Sequence, residues 1–272
     1  MDRRSIYSRP GTETTHAKLS FVVDLDGTLV HGRTIIPGAA ELIRQIDDRF
    51  VIVSNNSTHS ACGLATELAS AGLEIPADRI ILAGMMAVQR VALDYPGARV
   101  LLIGSPALRH EAECVGLILV QDAADVVLLG RDEAFSYDKL TLAANEIRRG
   151  AAFVACNPDR SHPGANGLLV PETGALMQAI IACARPPNVR VIGKPQPDLF
   201  QEAVRRLNAA PAACVMIGDN PETDAAGAAR LGMHHLLVGS GADCDASDLI
   251  DLTERLSRDQ QALTAFPRLA SA

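Results

Sequence analysis

Two aspartates one residue apart, closing an apolar run, are the chain's strongest chemical signal. Residues 21–28 read Phe-Val-Val-Asp-Leu-Asp-Gly-Thr, so Asp24 and Asp26 flank Leu25 just before Gly27. Such a pair repels unless a cation or a shared proton lies between the carboxylates. Three further polar clusters follow apolar runs. Val51-Ile52-Val53 leads to Ser54-Asn55-Asn56-Ser57-Thr58, and residues 189–193 lead to Lys194, Pro195 and Pro197. Cys214-Val215-Met216-Ile217-Gly218 leads to Asp219 and then to Asn220-Pro221-Glu222-Thr223-Asp224. Together the clusters supply a carboxylate pair, a hydroxyl, a cation and a second acidic pair, an inventory that suits a magnesium ion holding a phosphoryl group.

Each apolar run has the length of a buried parallel strand, and ligands gather beyond the carboxyl ends of such strands, so one sheet edge can collect all four clusters. Strand patterns alternate with helix patterns throughout, which predicts an α/β fold with a parallel sheet. Pro37 opens a helix with Ala39, Leu42, Ile43 and Ile46 on one face. Ala61, Leu64, Ala65 and Leu68 mark a second helix, which Gly72 ends. Pro197 opens a third with Phe200, Val204 and Leu207 inward, and Thr223 is the expected N-cap of a fourth that Gly232 ends. Asp24 to Ser54 is 30 residues, one strand–helix–strand step, whereas Ser54 to Lys194 is 140. One or two such steps need only about 30 residues each, so most of that interval is an insertion. It holds strand candidates at 99–103, 126–129 and 152–155 and helix patterns at 84–94, 106–115 and 138–149. The expected organisation is a flexible tail over 1–17, a core of 18–82 and 186–272, and an inserted α/β cap over 83–185.

The order Asp-x-Asp-Gly-Thr, Ser/Thr-Asn-Asn, Lys-Pro and Gly-Asp-x-x-x-Thr-Asp resembles the haloacid dehalogenase-like phosphatases. In detail it is similar to subfamily IIA, the p-nitrophenylphosphatase/nucleotidase-like branch, whose cap lies between the second and third motifs. The resemblance covers about residues 18–240 and implies a Rossmann-like core. It also implies roles residue by residue. Asp24 matches the nucleophile that forms an aspartyl-phosphate, which needs nearby positive charge to approach a dianionic phosphate. Asp26 matches the general acid/base and gives its carbonyl to the metal. Ser54 matches the hydroxyl that donates to the phosphoryl oxygens, beside a backbone amide of Asn55. Lys194 matches the cation bridging nucleophile and phosphoryl group. Asp219 matches a magnesium ligand, and Asp224 orients the metal's waters, so the metal set is Asp24, Asp26, Asp219 and Asp224. Asn220, where the family often has Arg or Asn, and Thr223 are expected to hydrogen-bond phosphate or a metal water. Residues 157–164, Asn-Pro-Asp-Arg-Ser-His-Pro-Gly, lie where relatives place a substrate-reading loop, which makes Asp159 and His162 the candidate readers. Pro171-Glu172-Thr173-Gly174 departs from the family's Pro-Gly-Thr-Gly, and its added carboxylate points toward a cationic or hydroxyl-rich substrate.

The expected activity is therefore magnesium-dependent hydrolysis of a small phosphomonoester. Sugar phosphates, pyridoxal phosphate, phosphoglycolate and nucleoside monophosphates all remain open. A receiver-like phosphoacceptor domain shares the acidic cluster, the hydroxyl and the lysine, but it needs no insertion and lacks an acid two residues after its phosphoacceptor. A dehalogenase needs no metal, so Asp219 and Asp224 speak against one. A phosphonatase needs a cap between the first two motifs, where there is no room. A non-catalytic module has no use for this complete residue set.

Composition narrows the partners. The net charge of −7 is spread along 272 residues without a Lys/Arg run, which argues against nucleic acid and anionic membranes. Hydrophobic residues make up 48% and aromatics 3%, so the core is aliphatic. No apolar stretch reaches the roughly 18 residues that span a bilayer. The polar first 17 residues lack a signal-peptide centre, and a cytoplasmic protein is expected. The six cysteines, Cys62, Cys114, Cys156, Cys183, Cys214 and Cys244, form no Cys-x-x-Cys pair and are read as ordinary buried thiols. Caps in this branch often form dimer contacts, so a homodimer through the cap is compatible with the resemblance.

Overall fold

The computed structural model describes residues 19–164 and 167–258. The tail expected over 1–17 lies outside them. In chain order, β1 (Ser20–Asp24) is followed by a small hairpin, β2 (Val30–His31) and β3 (Thr34–Ile35), then α1 (Ala39–Ile46) and β4 (Phe50–Ser54). Next come α2 (Ala61–Ser70), β5 (Ile80–Leu82) and α3 (Ala83–Asp94). A second group follows: β6 (Arg99–Ile103), α4 (Pro106–Cys114), β7 (Ile118–Leu119), β8 (Val126–Leu129), α5 (Tyr137–Arg148) and β9 (Ala152–Ala155). It continues through the hairpin β10 (Ser161–Pro163) and β11 (Leu169–Pro171), then α6 (Thr173–Ala184) and β12 (Arg190–Val191). The chain closes with α7 (Pro197–Leu207), β13 (Cys214–Gly218), α8 (Ala226–Arg230), β14 (His234–Leu237) and α9 (Leu249–Arg258).

Two five-stranded parallel sheets result, in the orders β14-β13-β1-β4-β5 and β12-β9-β8-β6-β7. In the first sheet the chain runs outward from β1 to β4 on one side, while β13 flanks β1 on the other. Strand order therefore reverses at β1, and that reversal opens a crevice beyond its carboxyl end. β1, β4 and β13 are buried along their whole length, as expected for strands covered on both faces. This is the Rossmann-like α/β core, with an α/β unit inserted between β5 and β13.

The inserted sheet shows a clean alternation. Val100, Leu102, Val126, Leu128 and Val154 join the large cluster that also holds the interior of the first sheet. Leu101, Ile103, Val127, Leu129 and Phe153 face the other way, against α5 and α6 residues such as Ile147 and Ile180. Successive strand residues point to opposite faces, so one sheet serves two interiors. Between the sheets lies α3, buried at Ala83–Val88 and Val91 and packed on β5, β8, β9, α4 and α7. Gly84 is what allows its approach: a Cβ there would stand 2.8 Å from Ser57 Cα.

The expected helices fall within a residue or two of those observed, with instructive shifts. α1 begins after Gly38, whose φ of +90° suits glycine. α7 buries Leu199, Phe200 and Ala203, while Val204 and Leu207 pack at the margin, so its inner face is rotated by about one residue. The cap of the turn before α8 is Asn220, whose side chain accepts from the Glu222 N–H at 2.9 Å, and not Thr223. The apolar run before Lys194 pairs with β9 in the inserted sheet, Arg190 with Val154 and Val191 with Ala155, and not in the first sheet as the expected core over 186–272 implies. Its ladder continues through Gly193 N–H to the Cys156 carbonyl at 2.7 Å. All six cysteines are free, but only Cys156 and Cys214 are buried; Cys62, Cys114 and Cys183 are exposed, so the reading of ordinary buried thiols holds for two of them. Burial pushes the thiols of Cys156 and Cys214 up to about 12 and about 11. Among the described residues no helix is long and apolar enough to cross a membrane.

Candidate active site

Asp24 is the last residue of β1, Ser54 the last of β4, and Asp219 follows the last residue of β13. The pairings Val23–Ile217 and Asp24–Val53 bring these strand ends level, so the polar groups collect in the crevice beside β1. Lys194 arrives from the other sheet, two residues past the Ile192 N–H that bonds Ala155.

Asp24 and Lys194 are both buried, at 5% and 3% exposure. Lys194 Nζ donates to Asp24 Oδ1 in a short contact and to Asp224 Oδ1 at 2.7 Å. Thr28 Oγ1 donates to the other oxygen of Asp24 at 3.2 Å. Burial raises the Asp24 carboxyl well above the ordinary range; Lys194 opposes the rise, and Asp224 and Asp26 add to it. Burial alone would lower Lys194, but Asp224 and Asp24 more than reverse that, and the ammonium keeps its proton.

Three carboxylates, from Asp24, Asp219 and Asp224, offer oxygens within 4.8 Å of one another. Burial and then the charge of Asp224 raise the Asp219 carboxyl. One ammonium faces three acids, and the donors are all oxygen, which is the chemistry of a hard divalent cation. The backbone is cut to fit: a Cβ on Gly27 would stand 2.3 Å from Asp219 Oδ2, and one on Gly218 2.2 Å from Asp224 Oδ2. Asp224 is fixed further by the Asn220 N–H, which donates to Oδ2 at 3.1 Å.

Asp26 differs from its neighbour. It is exposed, and Ser54 Oγ donates to its Oδ2 at 3.1 Å. The turn that presents it uses Gly27 at φ +92°, with the Gly27 N–H bonding the Val30 carbonyl at 2.8 Å. Two carboxylates one residue apart thus occupy opposite settings, one buried against a cation and one at the mouth.

The remaining expected residues fall at different removes. Asn55 contributes its side chain, which holds both backbone groups of Lys194 and Asp159 Oδ1. The N–H that meets Ser54 Oγ belongs to Asn56, at 3.1 Å. Burial raises Asp159, while Asn55 and Lys194 pull the other way. His162 lies one shell further out: its Nδ1 meets Glu172 Oε1 at 2.8 Å, and Arg131 Nη1 donates to the same oxygen at 3.1 Å. Glu172 is therefore paired with Arg131, which also meets Glu133 at 2.9 Å. Asn220 caps its turn, and Thr223 lies half-buried within that turn.

Sequence reasoning missed a polar knot beside the site. Buried Asn157 donates to the Asn55 carbonyl at 2.6 Å and to Thr173 Oγ1 at 3.3 Å. Buried Ser57 meets Thr173 Oγ1 at 3.3 Å, accepts from the Arg131 N–H at 2.9 Å, and gives its carbonyl to Ser105 Oγ at 3.2 Å. Gly174 closes it, since a Cβ there would stand 2.1 Å from the Pro158 carbonyl oxygen. Asn157 and Ser57 sit in runs that read as loop, and only their partners reveal them.

A haloacid dehalogenase-like hydrolase family model matches residues 21–118, and a HAD-hydrolase-like one matches 191–257. A dihydroxyacetone phosphatase from Corynebacterium glutamicum is 31% identical over 231 residues, 84% of this chain and 83% of the relative. The chain belongs to the haloacid dehalogenase-like hydrolases. Its place within them is subfamily IIA. The p-nitrophenyl phosphatase structure from Archaeoglobus fulgidus superposes with a TM-score of 0.79 at 28% identity, over 87% of this chain and 98% of that one. The glycerol phosphate phosphatase from Mycobacterium tuberculosis, in complex with magnesium, gives 0.76 at 34% identity, over 83% and 69%. As a member of this branch, the protein is a phosphoric monoester hydrolase.

Proposed function

We propose that this hydrolase is a magnesium-dependent phosphatase of small phosphomonoester metabolites that works through an aspartyl-phosphate on Asp24. The observation that carries the reading is the pairing of a buried Asp24, held by Lys194 among three convergent carboxylates, with an exposed Asp26 held by Ser54. Similarity to a dihydroxyacetone phosphatase and to a glycerol phosphate phosphatase supports the small-ester class. The magnesium-bound relative supports the metal, which Asp24, Asp219 and Asp224 side chains and the Asp26 carbonyl would hold.

An oxygen of Asp24 attacks phosphorus, and the bond to the ester oxygen breaks as that oxygen leaves with its electron pair. Asp26, at the mouth, gives it a proton. Asp26 then takes a proton from water as the water oxygen attacks phosphorus, and the bond to Asp24 breaks to release inorganic phosphate. Lys194 offsets negative charge on the phosphoryl oxygens, and Ser54 and the loop after it donate hydrogen bonds. Magnesium, when bound, supplies the further positive charge that keeps Asp24 ionised in its buried position. We also propose that residues 83–185 act as a cap, with Asp159 and His162 beside the leaving group. The partner is then a small phosphorylated metabolite and neither nucleic acid nor membrane, in a cytoplasmic protein, with a homodimer formed through the cap.

Turnover of p-nitrophenyl phosphate with and without magnesium, followed by a panel of phosphorylated metabolites, tests this. Hydrolysis that is indifferent to chelation, or the absence of an acid-stable phosphoryl group on Asp24 during turnover, would refute it.

A further inference from the structure

Asn55 does something its place in the motif does not announce. Its Oδ1 accepts the Lys194 backbone N–H at 2.7 Å, and its Nδ2 donates to the Lys194 carbonyl and to Asp159 Oδ1, each at 3.1 Å. A carboxamide has two N–H donors and one carbonyl acceptor, so all of its polar groups are engaged. Both main-chain polar groups of Lys194 are therefore fixed by one side chain, which fixes the point from which Nζ reaches Asp24 and Asp224. The main chain of Asn55 is held in turn, since its carbonyl accepts from buried Asn157 at 2.6 Å. The preceding glycine is shaped around the contact: a Cβ on Gly193 would stand 2.5 Å from Asn55 Oδ1, 2.8 Å from the Cys156 carbonyl oxygen and 2.9 Å from Asn157 Cβ.

We propose that the Asn55 side chain is a positioning clamp, which sets the place of the Lys194 ammonium and ties it to Asp159 in the loop after β9. The loop beside the leaving group and the cation beside the phosphoryl group then share one hinge of hydrogen bonds. Displacing either end displaces Lys194 from Asp24. This rests on the reading of Lys194 as the phosphoryl-binding cation, and it assigns Asn55 an action through Lys194 rather than on substrate.

The chemistry suggests a polarity-reversal test. Asn55→Asp keeps the shape and the acceptor but turns an oxygen toward the Lys194 carbonyl and the Asp159 carboxylate. Two hydrogen bonds become repulsions, and kcat on p-nitrophenyl phosphate at saturating magnesium should fall about a hundredfold. KM should move less, because the lysine's charge matters most as charge develops in the transition state. Asp159→Asn keeps an acceptor for Asn55 and should cost less than Asn55→Asp. The double variant restores a donor–acceptor pair with its polarity reversed, and kcat should recover about tenfold over Asn55→Asp. Asn55→Ala removes the three hydrogen bonds without adding a repulsion or a new atom and should lower kcat in the same way; it decides the matter if Asn55→Asp does not fold.

Thermal melts of the same four proteins give the second readout. Coupling between positions 55 and 159 in melting temperature but none in kcat would make the contact purely structural and overturn the clamp. So would an Asn55→Asp enzyme within about threefold of wild type, or a folded double variant no faster than Asn55→Asp. A wild-type protein without magnesium-dependent hydrolysis would instead refute the phosphatase reading itself, before any variant is made.

Discussion

Asp24→Asn should abolish turnover and make the protein more stable. Asp24 is buried, burial raises its carboxyl well above the ordinary range, and the nearby Asp224 and Asp26 charges raise it further. An acid whose folded-state value is raised binds its proton more tightly folded than unfolded. Its contribution to stability is therefore fully present at low pH and is lost as pH rises, at about 1.4 kcal/mol for each unit of the shift. At neutral pH without metal the wild-type fold thus bears the cost of an ionised or reluctantly protonated Asp24. Asparagine removes that cost with little loss of contact. Its Oδ1 still accepts from Lys194, which keeps Asp224, and its amide can donate to the Thr28 hydroxyl that now donates to Asp24. Relief of one such group is worth about 1–2 kcal/mol, or roughly 2–4 °C in melting temperature for a chain of this size.

Melting followed by circular dichroism in chelator, from pH 5 to pH 8, checks both size and sign. The gap between the Asp24→Asn variant and the wild type should open as pH rises and close as it falls. Magnesium should raise the melting temperature of the wild type more than that of the variant, because the variant has lost a charged ligand. Turnover by the variant should fall at least about a thousandfold for want of a nucleophile. A variant that melts below wild type at pH 8, or a gap that does not change with pH, would refute the picture of Asp24 as a buried, destabilised carboxylate.

Three further outcomes follow from named contacts. Asp219→Asn should weaken magnesium binding, so raising the metal concentration should restore part of its activity; a loss unmoved by metal would remove Asp219 from the ligand set. Asp26→Asn should suffer least with p-nitrophenyl phosphate, whose leaving group needs little protonation, and most with an alkyl ester; equal losses would show that Asp26 is not the acid. Glu202 accepts from Arg205 at 2.7 Å and Arg206 at 2.8 Å, and these bonds lower its carboxyl from 4.5 to about 2. Its contribution to stability is present above pH 4.5 and lost as pH falls toward 2, so Glu202→Gln and wild-type melting curves should differ at pH 6 and converge at the acid end of that window.

What could be read in advance was local. Asp24, Ser54 and Asp219 each sit at or just past the end of an apolar run, and a parallel sheet with a reversal at β1 is enough to gather them. The strands at 99–103, 126–129 and 152–155 were legible because each is a short continuous apolar run, rich in valine, leucine and isoleucine in the first two and centred on Phe153-Val154 in the third. Glu172 was visible only as a departure from a pattern, because a charge in a sequence does not say whether Arg131 will meet it. The partners of Asn157 and Ser57 were hidden by distance along the chain. Asn157 bonds a carbonyl 102 residues away, and Ser57 meets Thr173 across 116.

Lys194 marks where local reading stops. Its motif was plain, and so was the strand before it, but a two-residue strand carries no sign of which neighbour it will pair with. Pairing with β9 makes the run before Lys194 an edge of the inserted sheet, and the ladder persists through Gly193 to the residue just before the lysine. The cation is therefore delivered by the unit that also carries Asp159, while its anionic partners lie at the other sheet, Asp24 at the end of β1 and Asp224 in the turn after β13. A buried ion pair that spans two sheets is a poor source of stability by itself, because desolvation offsets most of its attraction. Here it joins them at the site: Lys194, carried by the edge of the inserted sheet, meets Asp24 and Asp224 in surroundings where an unpaired charge has no water to turn to. The apolar contact through α3 lies between the same two sheets.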